Sequence, residues 1–336
     1  GLFLDLTKAF DTVNHEILLI KLAHYGIRGL ALKWFESYLS NRMQFTVVNG
    51  KESSKRCLQC GIPQGSVLGP ILFLIYINDL FNSSNALKFN IFADDSNLFF
   101  SHKDVRCLET IINNELKLVF DWLCANKLSL NVNKSNFVLF HPYQRKMVSS
   151  FSIYINDNPV KQEKYVKYLG ILLDSNLTWK PHICEISKKV RRGIGILSKI
   201  RHYVNIGILT QLYYSLIYPF LTYGILAWGN TYVSNLQPLI TLQKRAVRII
   251  TFSPFDAHSS PLFKQLKILK FADLSFLHTA LFMHQYHSNQ LPATFSAFFV
   301  PLSAMHKYNT RSSSKTNYFL PRVRTNYGIF NIRYSC

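Results

Sequence analysis

Residues 91–100 read IFADDSNLFF, in which two adjacent aspartates separate two apolar runs. Runs of this length predict two short strands, with Asp94 and Asp95 at the turn between them. A third aspartate, Asp5, interrupts the apolar run of LFLDLTKAFD at residues 2–11. We expect the two segments to lie side by side and to bring the three carboxylates into one pocket.

Such a cluster of carboxylates needs a compensating partner. Two carboxylates about 4 Å apart repel by roughly 4 kcal/mol at an effective dielectric constant near 20. The cluster persists if it is protonated, paired or bound to cations. Two divalent ions held by carboxylates and substrate phosphates would suit nucleotidyl transfer, with Asp5 and Asp94 as the principal ligands and Asp95 completing the set. The alternative is that Asp94 and Asp95 are ordinary turn residues.

The charge of the chain is large and unevenly distributed. The 336 residues carry a formal net charge of +20, with 9 Lys+Arg against 8 Asp+Glu in residues 1–100 and 29 against 10 in residues 101–336. A basic region beside an acidic cluster is typical of a protein that binds a polyanion with one part and processes it with another. A solvated cationic surface is the alternative.

The cysteines bear on the cellular location of the protein, and the apolar segments bear on whether it spans a membrane. Of the six cysteines only Cys57 and Cys60 are close together, and no second pair or histidine follows at zinc-finger spacing. We therefore expect reduced thiols and an intracellular location, in the nucleus, the cytoplasm or both. Residues 202–243 contain no Lys, Arg, Asp or Glu. Because Gln211 and several tyrosines occur there, we expect a buried helix pair broken at Pro219 and no membrane span.

The order of elements predicts an α+β fold. Strand–helix–strand–strand–helix–strand patterns fill the first 173 residues, which favours helices on one face of a mostly antiparallel sheet. Asn49-Gly50 predicts a hairpin turn, and residues 30–39 predict a helix. Helices dominate from about Lys180 onward. We expect three parts, with boundaries at residues 1–173, 174–250 and 251–336, the last a basic C-terminal extension.

The ordered motifs resemble the reverse transcriptase of a non-LTR, LINE-type retrotransposon of the jockey-like kind. The resemblance covers nearly the whole chain and rests on these segments: FLDLTKAFD (3–11), GIPQGSVLGPILFLIYINDL (61–80), FADD (92–95), LSLNVNKS (128–135), VKYLGILLD (166–174), YYSLIYPFLTYGILAWGN (213–230), LQKRAVRII (242–250) and RTNYG (324–328). The family implies a palm in residues 1–173, followed by a helical thumb and connection.

The resemblance implies roles for residues around the nucleotide. Phe10 resembles the steric gate beneath the sugar, which leaves no room for a 2′-hydroxyl. Gln64 and Gly65 resemble the segment that lies against the nucleotide and the template base; glycine allows a close backbone approach. Lys134 resembles a lysine near the leaving pyrophosphate, where it would act as a general acid. Without a ligand these would be a core aromatic residue, turn residues and a solvated lysine.

Two further segments resemble the parts that bind nucleic acid. Tyr168, Leu169 and Gly170 resemble the hairpin that contacts the primer terminus. A basic segment resembles a thumb helix that contacts the duplex backbone, and its members are Lys188, Lys189, Arg191, Arg192 and Lys199. A solvated helix face is the alternative for this segment.

The family implies an RNA-directed DNA polymerase that uses Mg²⁺, or Mn²⁺ as an alternative, with an RNA template, a DNA primer and dNTPs as partners. No protein partner can be inferred. The family's fingers segments should precede Asp5 and are largely missing, so we expect a fragment with weak or no polymerase activity by itself. Two other hypotheses stay open: a truncated, non-enzymatic nucleic-acid-binding remnant, and a membrane-associated protein that uses residues 202–243.

Overall fold

The computed structural model describes residues 1–144, 151–305, 318–320 and 322–335. The chain divides into two compact units, Gly1–Val166 and Lys167–Cys336. The boundary lies a few residues before the palm end expected at residue 173. The second unit also includes the residues after 250, which the sequence suggested as a separate part. We describe each unit by itself.

The first unit combines short strands with four α-helices among its described residues. Its strands are β1 (Leu2–Leu4), β2 (Met43–Gln44), β3 (Val47–Val48), β4 (Lys51–Glu52), β5 (Arg56–Cys57), β6 (Lys88–Phe92), β7 (Asp95–Phe99), β8 (Asn136–Phe137), β9 (Tyr154–Ile155), β10 (Asn158–Pro159) and β11 (Lys161–Gln162); β12 (Tyr165–Tyr168) crosses the boundary. Its helices are α1 (His15–His24), α2 (Leu30–Leu39), α3 (Gly69–Ile77) and α4 (Val105–Ala125), with a 3₁₀-helix at Asn78–Ser83.

The central sheet has the strand order β11-β8-β1-β7-β6. Its neighbouring strands are antiparallel, except that β11 runs parallel to β8. Alternate strand residues face opposite sides, and Leu2, Leu4 and Leu98 join the hydrophobic core that contains residues of α1, α3 and α4. Helices therefore cover the leucine face of the sheet. The α+β fold expected from the sequence is confirmed.

Local signals account for several element boundaries in this unit. Asp104 caps α4, since its Oδ1 accepts hydrogen bonds from the backbone N–H groups of Arg106 (2.7 Å) and Cys107 (3.0 Å). The helix predicted at residues 30–39 is α2. Asn49 and Gly50 both have positive φ angles, 50° and 77°, as a two-residue hairpin turn between β3 and β4 requires.

The second unit is mainly helical. Strand β13 (Ile171–Asp174) pairs with β12. The helices are α5 (Lys180–Ile200), α6 (Ile206–Leu216), α7 (Tyr218–Thr222), α8 (Ile225–Trp228), α9 (Val233–Ile250), α10 (Ser259–Leu266), α11 (Phe271–His287), α12 (Leu302–Met305), α13 (Asn326–Ile329) and α14 (Ile332–Ser335), with a 3₁₀-helix at Ala293–Phe295.

A separate hydrophobic core forms the centre of this unit. It contains residues of α5, α6, α7, α8, α9, α10 and α11. Within the charge-free segment, α6 ends at Leu216 and α7 begins at Tyr218, with Pro219 in its first turn. This break agrees with the helix pair expected there. Over the described ranges, no helix is long and apolar enough to cross a membrane.

Candidate active site

The register of the central sheet places two of the three aspartates opposite each other. Leu4 of β1 pairs with Ser96 of β7, and Phe3 pairs with Asn97. The next position along both strands puts Asp5 opposite Asp95. Because side chains alternate along a strand, Asp5 and Asp95 lie on the face opposite to Leu4 and the core.

Asp94 lies in the tight turn of the same hairpin. Phe92 of β6 pairs with Asp95 of β7, so the connecting residues are Ala93 and Asp94. Ala93 adopts a φ of 52°, which lies in the left-handed region that such turns use. The aspartate pair predicted at a turn is therefore divided, with one carboxylate in the turn and one at the start of a strand.

Asp5 and Asp94 are both close enough to Asp95 for their charges to act on its carboxyl group. Partial desolvation of its carboxyl group raises the pKa of Asp95 above its ordinary value, and the negative charges of Asp94 and Asp5 raise it further. Asp5 is half-buried, whereas Asp94 and Asp95 are exposed. The structure thus brings together the three aspartates that the sequence placed in one pocket.

This donor set fits a hard divalent cation. Carboxylate oxygens are the ligands that Mg²⁺ prefers, and Mg²⁺ keeps waters and substrate phosphates in its remaining positions. In the described part of the chain, none of the three carboxylates forms an ion pair within 4.0 Å. Within that same part, no group of three or more His, Cys, Asp or Glu residues is already arranged as a metal cage. Water and substrate would have to complete the coordination.

The backbone of Asp5 is held by a turn that also contains Lys134. The N–H of Asp5 donates to Ser135 Oγ (3.1 Å), and the N–H of Asn131 donates to the carbonyl of Asp5 (2.8 Å). The Ser135 hydroxyl donates in turn to the carbonyl of Asn131 (2.9 Å). Lys134 is exposed, and its N–H donates to the same Asn131 carbonyl (3.2 Å). Asn131 and Ser135 were not predicted as site residues, although both lie in the quoted segment LSLNVNKS.

The residues predicted around the nucleotide also lie together. The ring of Phe10 is stacked on that of Phe73, with centroids 4.5 Å apart. The backbone carbonyl of Phe10 accepts a hydrogen bond from the N–H of Ile62 (2.9 Å). This bond attaches the loop that contains Gln64 to the segment of Phe10. Gln64 Nε2 donates to Asp11 Oδ1 (2.8 Å). The sequence analysis missed Asp11 as the partner that orients Gln64.

Gly65 belongs to the same exposed loop. Its φ of 78° lies in the left-handed region, and a Cβ atom added there would meet nothing within 4 Å. The glycine is therefore required by the backbone conformation, and the open space beside it leaves room for the close approach of a ligand.

The hairpin of Tyr168, Leu169 and Gly170 joins β12 to β13. Leu169 and Gly170 have φ angles of 44° and 82°, which form a two-residue turn. The hydroxyl of Tyr223 donates to the carbonyl of Leu169 (2.7 Å). This contact within the second unit braces the turn predicted to meet the primer.

Helix α5 separates the five predicted basic residues into two groups. Four are exposed and recur at helical spacing on one stripe: Lys188, Arg191, Arg192 and Lys199. Lys189 differs from these four in being half-buried. It forms an ion pair with Glu185 (3.2 Å) and lies over the ring of Phe220 (5.5 Å from Nζ to the centroid).

Comparison with known proteins shows similarity to polymerases of mobile elements. The RNA-directed DNA polymerase from mobile element jockey of Drosophila melanogaster is 28% identical over 283 residues, which cover 81% of this chain and 30% of the relative. The probable RNA-directed DNA polymerase from transposon X-element of the same organism is 28% identical over 279 residues, with coverage of 80% and 30%. The chain therefore spans 30% of the length of these two relatives.

A solved structure of telomerase from Candida albicans, in complex with a fragment of telomeric RNA, matches part of this structure. The match covers 80% of this chain and 51% of the telomerase chain. The TM-score is 0.42 and the sequence identity is 12%. At this level of similarity, no conclusion is drawn from it.

The family model described as reverse transcriptase (RNA-dependent DNA polymerase) matches residues 1–173. This range contains the three aspartates, the loop of Gln64 and the hairpin of Leu169. The match confirms the resemblance inferred from the ordered motifs. The chain belongs to the reverse transcriptase family, of the non-LTR kind to which the jockey and X-element polymerases are assigned.

Proposed function

We propose that this chain is the catalytic palm and adjoining helical region of a non-LTR retrotransposon polymerase. It would add dNTPs to a DNA 3′ end on an RNA template, with two Mg²⁺ ions or with Mn²⁺. The observation that carries the proposal is the register that sets Asp5 opposite Asp95, together with the effect of the Asp94 and Asp5 charges on Asp95. No other described cluster offers this chemistry with the same motifs around it.

The side chains divide the work of nucleotidyl transfer. Asp5, Asp94 and Asp95 would hold the ions, which when bound activate the 3′-hydroxyl and neutralise the triphosphate. Lys134 would donate a proton to the leaving pyrophosphate. The Ser135 hydroxyl fixes the backbone of Asp5, so that its carboxylate starts from a defined position.

Selection of the nucleotide would depend on the neighbouring loop. The ring of Phe10 is fixed by stacking on Phe73, so it can exclude a 2′-hydroxyl without moving. Asp11 accepts from one amide N–H of Gln64 and fixes the amide plane, which orients its other groups for the nucleotide or the template base. Gly65 would allow the backbone to approach the same ligand.

The nucleic-acid partners would be an RNA template and a DNA primer. The exposed stripe on α5 would contact backbone phosphates, and the turn at Leu169 and Gly170 would contact the primer terminus. We also propose an intracellular location, in the nucleus, the cytoplasm or both, since a retrotransposon polymerase must reach RNA and genomic DNA.

Metal binding and synthesis test this proposal separately. We expect Mg²⁺ to raise the melting temperature of the chain and Asp94→Asn to abolish that rise, while Asp157→Asn, on the exposed turn between β9 and β10, leaves it unchanged. RNA-templated primer extension should then be measured with this chain and with a longer chain that contains it. An equal Mg²⁺ effect in wild type and Asp94→Asn would contradict the metal site.

A non-enzymatic nucleic-acid-binding protein is the second candidate. The net charge of +20 favours it. Duplex binding without Mg²⁺-dependent primer extension in either chain would support this candidate and contradict the polymerase.

A further inference from the structure

The segment LQKRAVRII (242–250) has no role in the function proposed above. It forms the C-terminal half of α9, which helps to line a cavity of about 380 Å³ in the second unit. Three basic side chains line this cavity: Lys244, Arg248 and Lys270. They come from α9 and from the residue before α11, so the fold collects them from two separate segments.

The three basic side chains in this cavity outnumber its acidic ones. Asp256 is the one carboxylate among the lining residues, and across the described residues it forms no ion pair within 4.0 Å. Arg248 Nε donates to the carbonyl of Ala257 (2.8 Å), which fixes the guanidinium and leaves its terminal N–H groups for another acceptor. Among the described residues, Lys270 Nζ donates to a neutral hydroxyl, that of Ser260 (3.1 Å), and to no carboxylate. An anion placed among these groups would relieve their mutual repulsion.

A buried amide holds the two cation-bearing segments together. Gln243 is 1% exposed. Its Nε2 donates to the hydroxyl of Tyr213 and to the carbonyl of Leu269, and its Oε1 accepts from the N–H of Phe271, all at 2.9 Å. These bonds tie α9 to the start of α11, so the backbone segments that carry the cations are held together before any ligand arrives.

Hydroxyl donors complete the lining of the cavity. Ser259 and Ser260 form the first turn of α10, and both line the cavity beside the cations. Serine hydroxyls and Lys or Arg side chains are the donors that proteins use for phosphate oxygens. The groups that line the cavity are therefore those of a phosphate-binding site.

We propose that this cavity, defined by Lys244, Arg248, Lys270, Ser259 and Ser260, binds a backbone phosphate of the nucleic acid that the enzyme processes. The inference rests on the proposed function for the identity of the ligand. It adds a phosphate contact on α9, α10 and the residue before α11, in addition to the contacts proposed for the stripe on α5. The excess of basic residues after position 100, 29 against 10, favours a polyanion over an isolated anion.

Binding of an RNA–DNA duplex to the full chain, measured by fluorescence anisotropy without divalent ions, tests the inference. The double variant Lys244→Gln/Lys270→Gln removes two cations from the cavity. Its matched control is Arg245→Gln/Lys264→Gln, which removes two exposed cations from α9 and α10 that do not line the cavity. Asp256→Asn makes the opposite change, because it removes one negative charge from the cavity lining.

We expect the cavity double variant to weaken binding on the order of tenfold more than its control. The slope of log K against log salt should fall by about 0.9 for the one phosphate contact that is lost. Asp256→Asn should tighten binding, because it removes the carboxylate that repels the phosphate. Circular dichroism and melting temperature confirm that each variant is folded.

Equal losses of affinity and slope in the cavity variant and its control would overturn the inference. A melting-temperature rise with inorganic phosphate, combined with unchanged duplex binding by the cavity variant, would show a site for free phosphate and overturn the nucleic-acid assignment. A failure of the proposed function would be detected by a different measurement, as a lack of Mg²⁺-dependent primer extension. Either result can therefore occur without the other.

Discussion

At the scale of single residues, hydrogen bonds fix the backbone of Asp5, whereas the surroundings of Asp95 change its pKa. Two hydrogen bonds from the turn at Asn131 and Ser135 fix the Asp5 main chain. Partial desolvation of its carboxyl group and the charges of Asp94 and Asp5 raise the pKa of Asp95. The metal-free site is therefore destabilised by its own carboxylates, and a cation would relieve this repulsion.

Asp95→Asn should stabilise the metal-free protein at neutral pH. Because the folded-state pKa of Asp95 is raised, its contribution to stability is present below the unfolded pKa of about 3.9 and is lost as the pH rises through the folded pKa. Asparagine removes the ionised form that disfavours folding at neutral pH. Since the side chain is exposed, we expect a rise in melting temperature of only about 1–2 °C in the presence of a chelator.

The advantage of Asp95→Asn should disappear at about pH 3, where the native aspartate is protonated. Saturating Mg²⁺ should reverse the order of stability, because only the wild type keeps the full donor set. Thermal melts at both pH values, with and without Mg²⁺, measure these effects. A destabilised Asp95→Asn in chelator at neutral pH would contradict the account.

Phe10→Ala should admit ribonucleotides in a polymerase-competent chain. The ring is fixed against Phe73, so its removal opens space where a 2′-hydroxyl would lie. We expect the preference for dNTPs over NTPs to fall by on the order of a hundredfold, as removal of a steric barrier worth about 3 kcal/mol would give. Single-nucleotide incorporation measures the ratio, and Phe81→Ala, which removes an exposed aromatic ring from the 3₁₀-helix at Asn78–Ser83, is the control. Unchanged sugar discrimination would remove the gate assignment.

At the scale of elements, the β12–β13 turn and helix α5 carry the contacts proposed for nucleic acid. The turn depends on a glycine with φ of 82°, braced by Tyr223. Helix α5 buries one face in the core of its unit and exposes the stripe of Lys188, Arg192 and their neighbours. Each element therefore has one part fixed by packing and one part free for a ligand.

Gly170→Ala and Gly195→Ala should change stability in opposite directions. A Cβ at Gly170 would be strained by the positive φ and would lie 3.3 Å from the Tyr223 ring, so we expect a loss of about 1–2 kcal/mol. Gly195 is exposed within α5 and a Cβ there would meet nothing within 4 Å, so alanine should add about 0.5–1 kcal/mol. Urea unfolding measures both; a stabilising Gly170→Ala would contradict the turn geometry.

Removal of charge from the exposed stripe of α5 should weaken duplex binding more than the same change at Lys189. Lys188→Gln should lower the slope of log K against log salt by up to about 0.9, as expected for one lost phosphate contact. Lys189 already has Glu185 as an ion-pair partner, so Lys189→Gln should have a smaller effect. Salt titrations of the two single variants provide the comparison. Identical slopes would favour a merely solvated helix face.

At the scale of the whole molecule, two separate hydrophobic cores support the two units. One core draws on residues 2–160 and the other on residues 183–274. Leu18 of α1 and Leu239 of α9 are both 0% exposed, and each belongs to one of these cores. A cavity in one core should therefore act first on the unit that contains it.

Leu18→Ala and Leu239→Ala should each destabilise their own unit by about 2–5 kcal/mol, through lost burial and the cavity left behind. Native-state hydrogen exchange measured by mass spectrometry would locate the effect. We expect protection to fall chiefly within residues 1–166 for the first variant and within residues 167–336 for the second. Equal loss of protection in both units would show that the chain unfolds as one cooperative body.

The sequence by itself determined the features that depend on near neighbours. The turn at Asn49-Gly50 has the positive φ angles that these residues tolerate best, and α2 spans the residues that its apolar spacing indicated. These features could be predicted because propensity and periodicity act over a few residues. The α+β class and the reverse transcriptase family followed from the order of such segments.

Only the tertiary structure decided which distant groups meet. It set Asp5 opposite Asp95, gave Gln64 its partner Asp11, and separated Lys189 from the exposed stripe of α5. It also gathered Lys244 and Lys270 around one cavity. The physical reason is that strand register and helix packing are fixed by burial over the whole unit, and a shift of one residue would turn each side chain to another face.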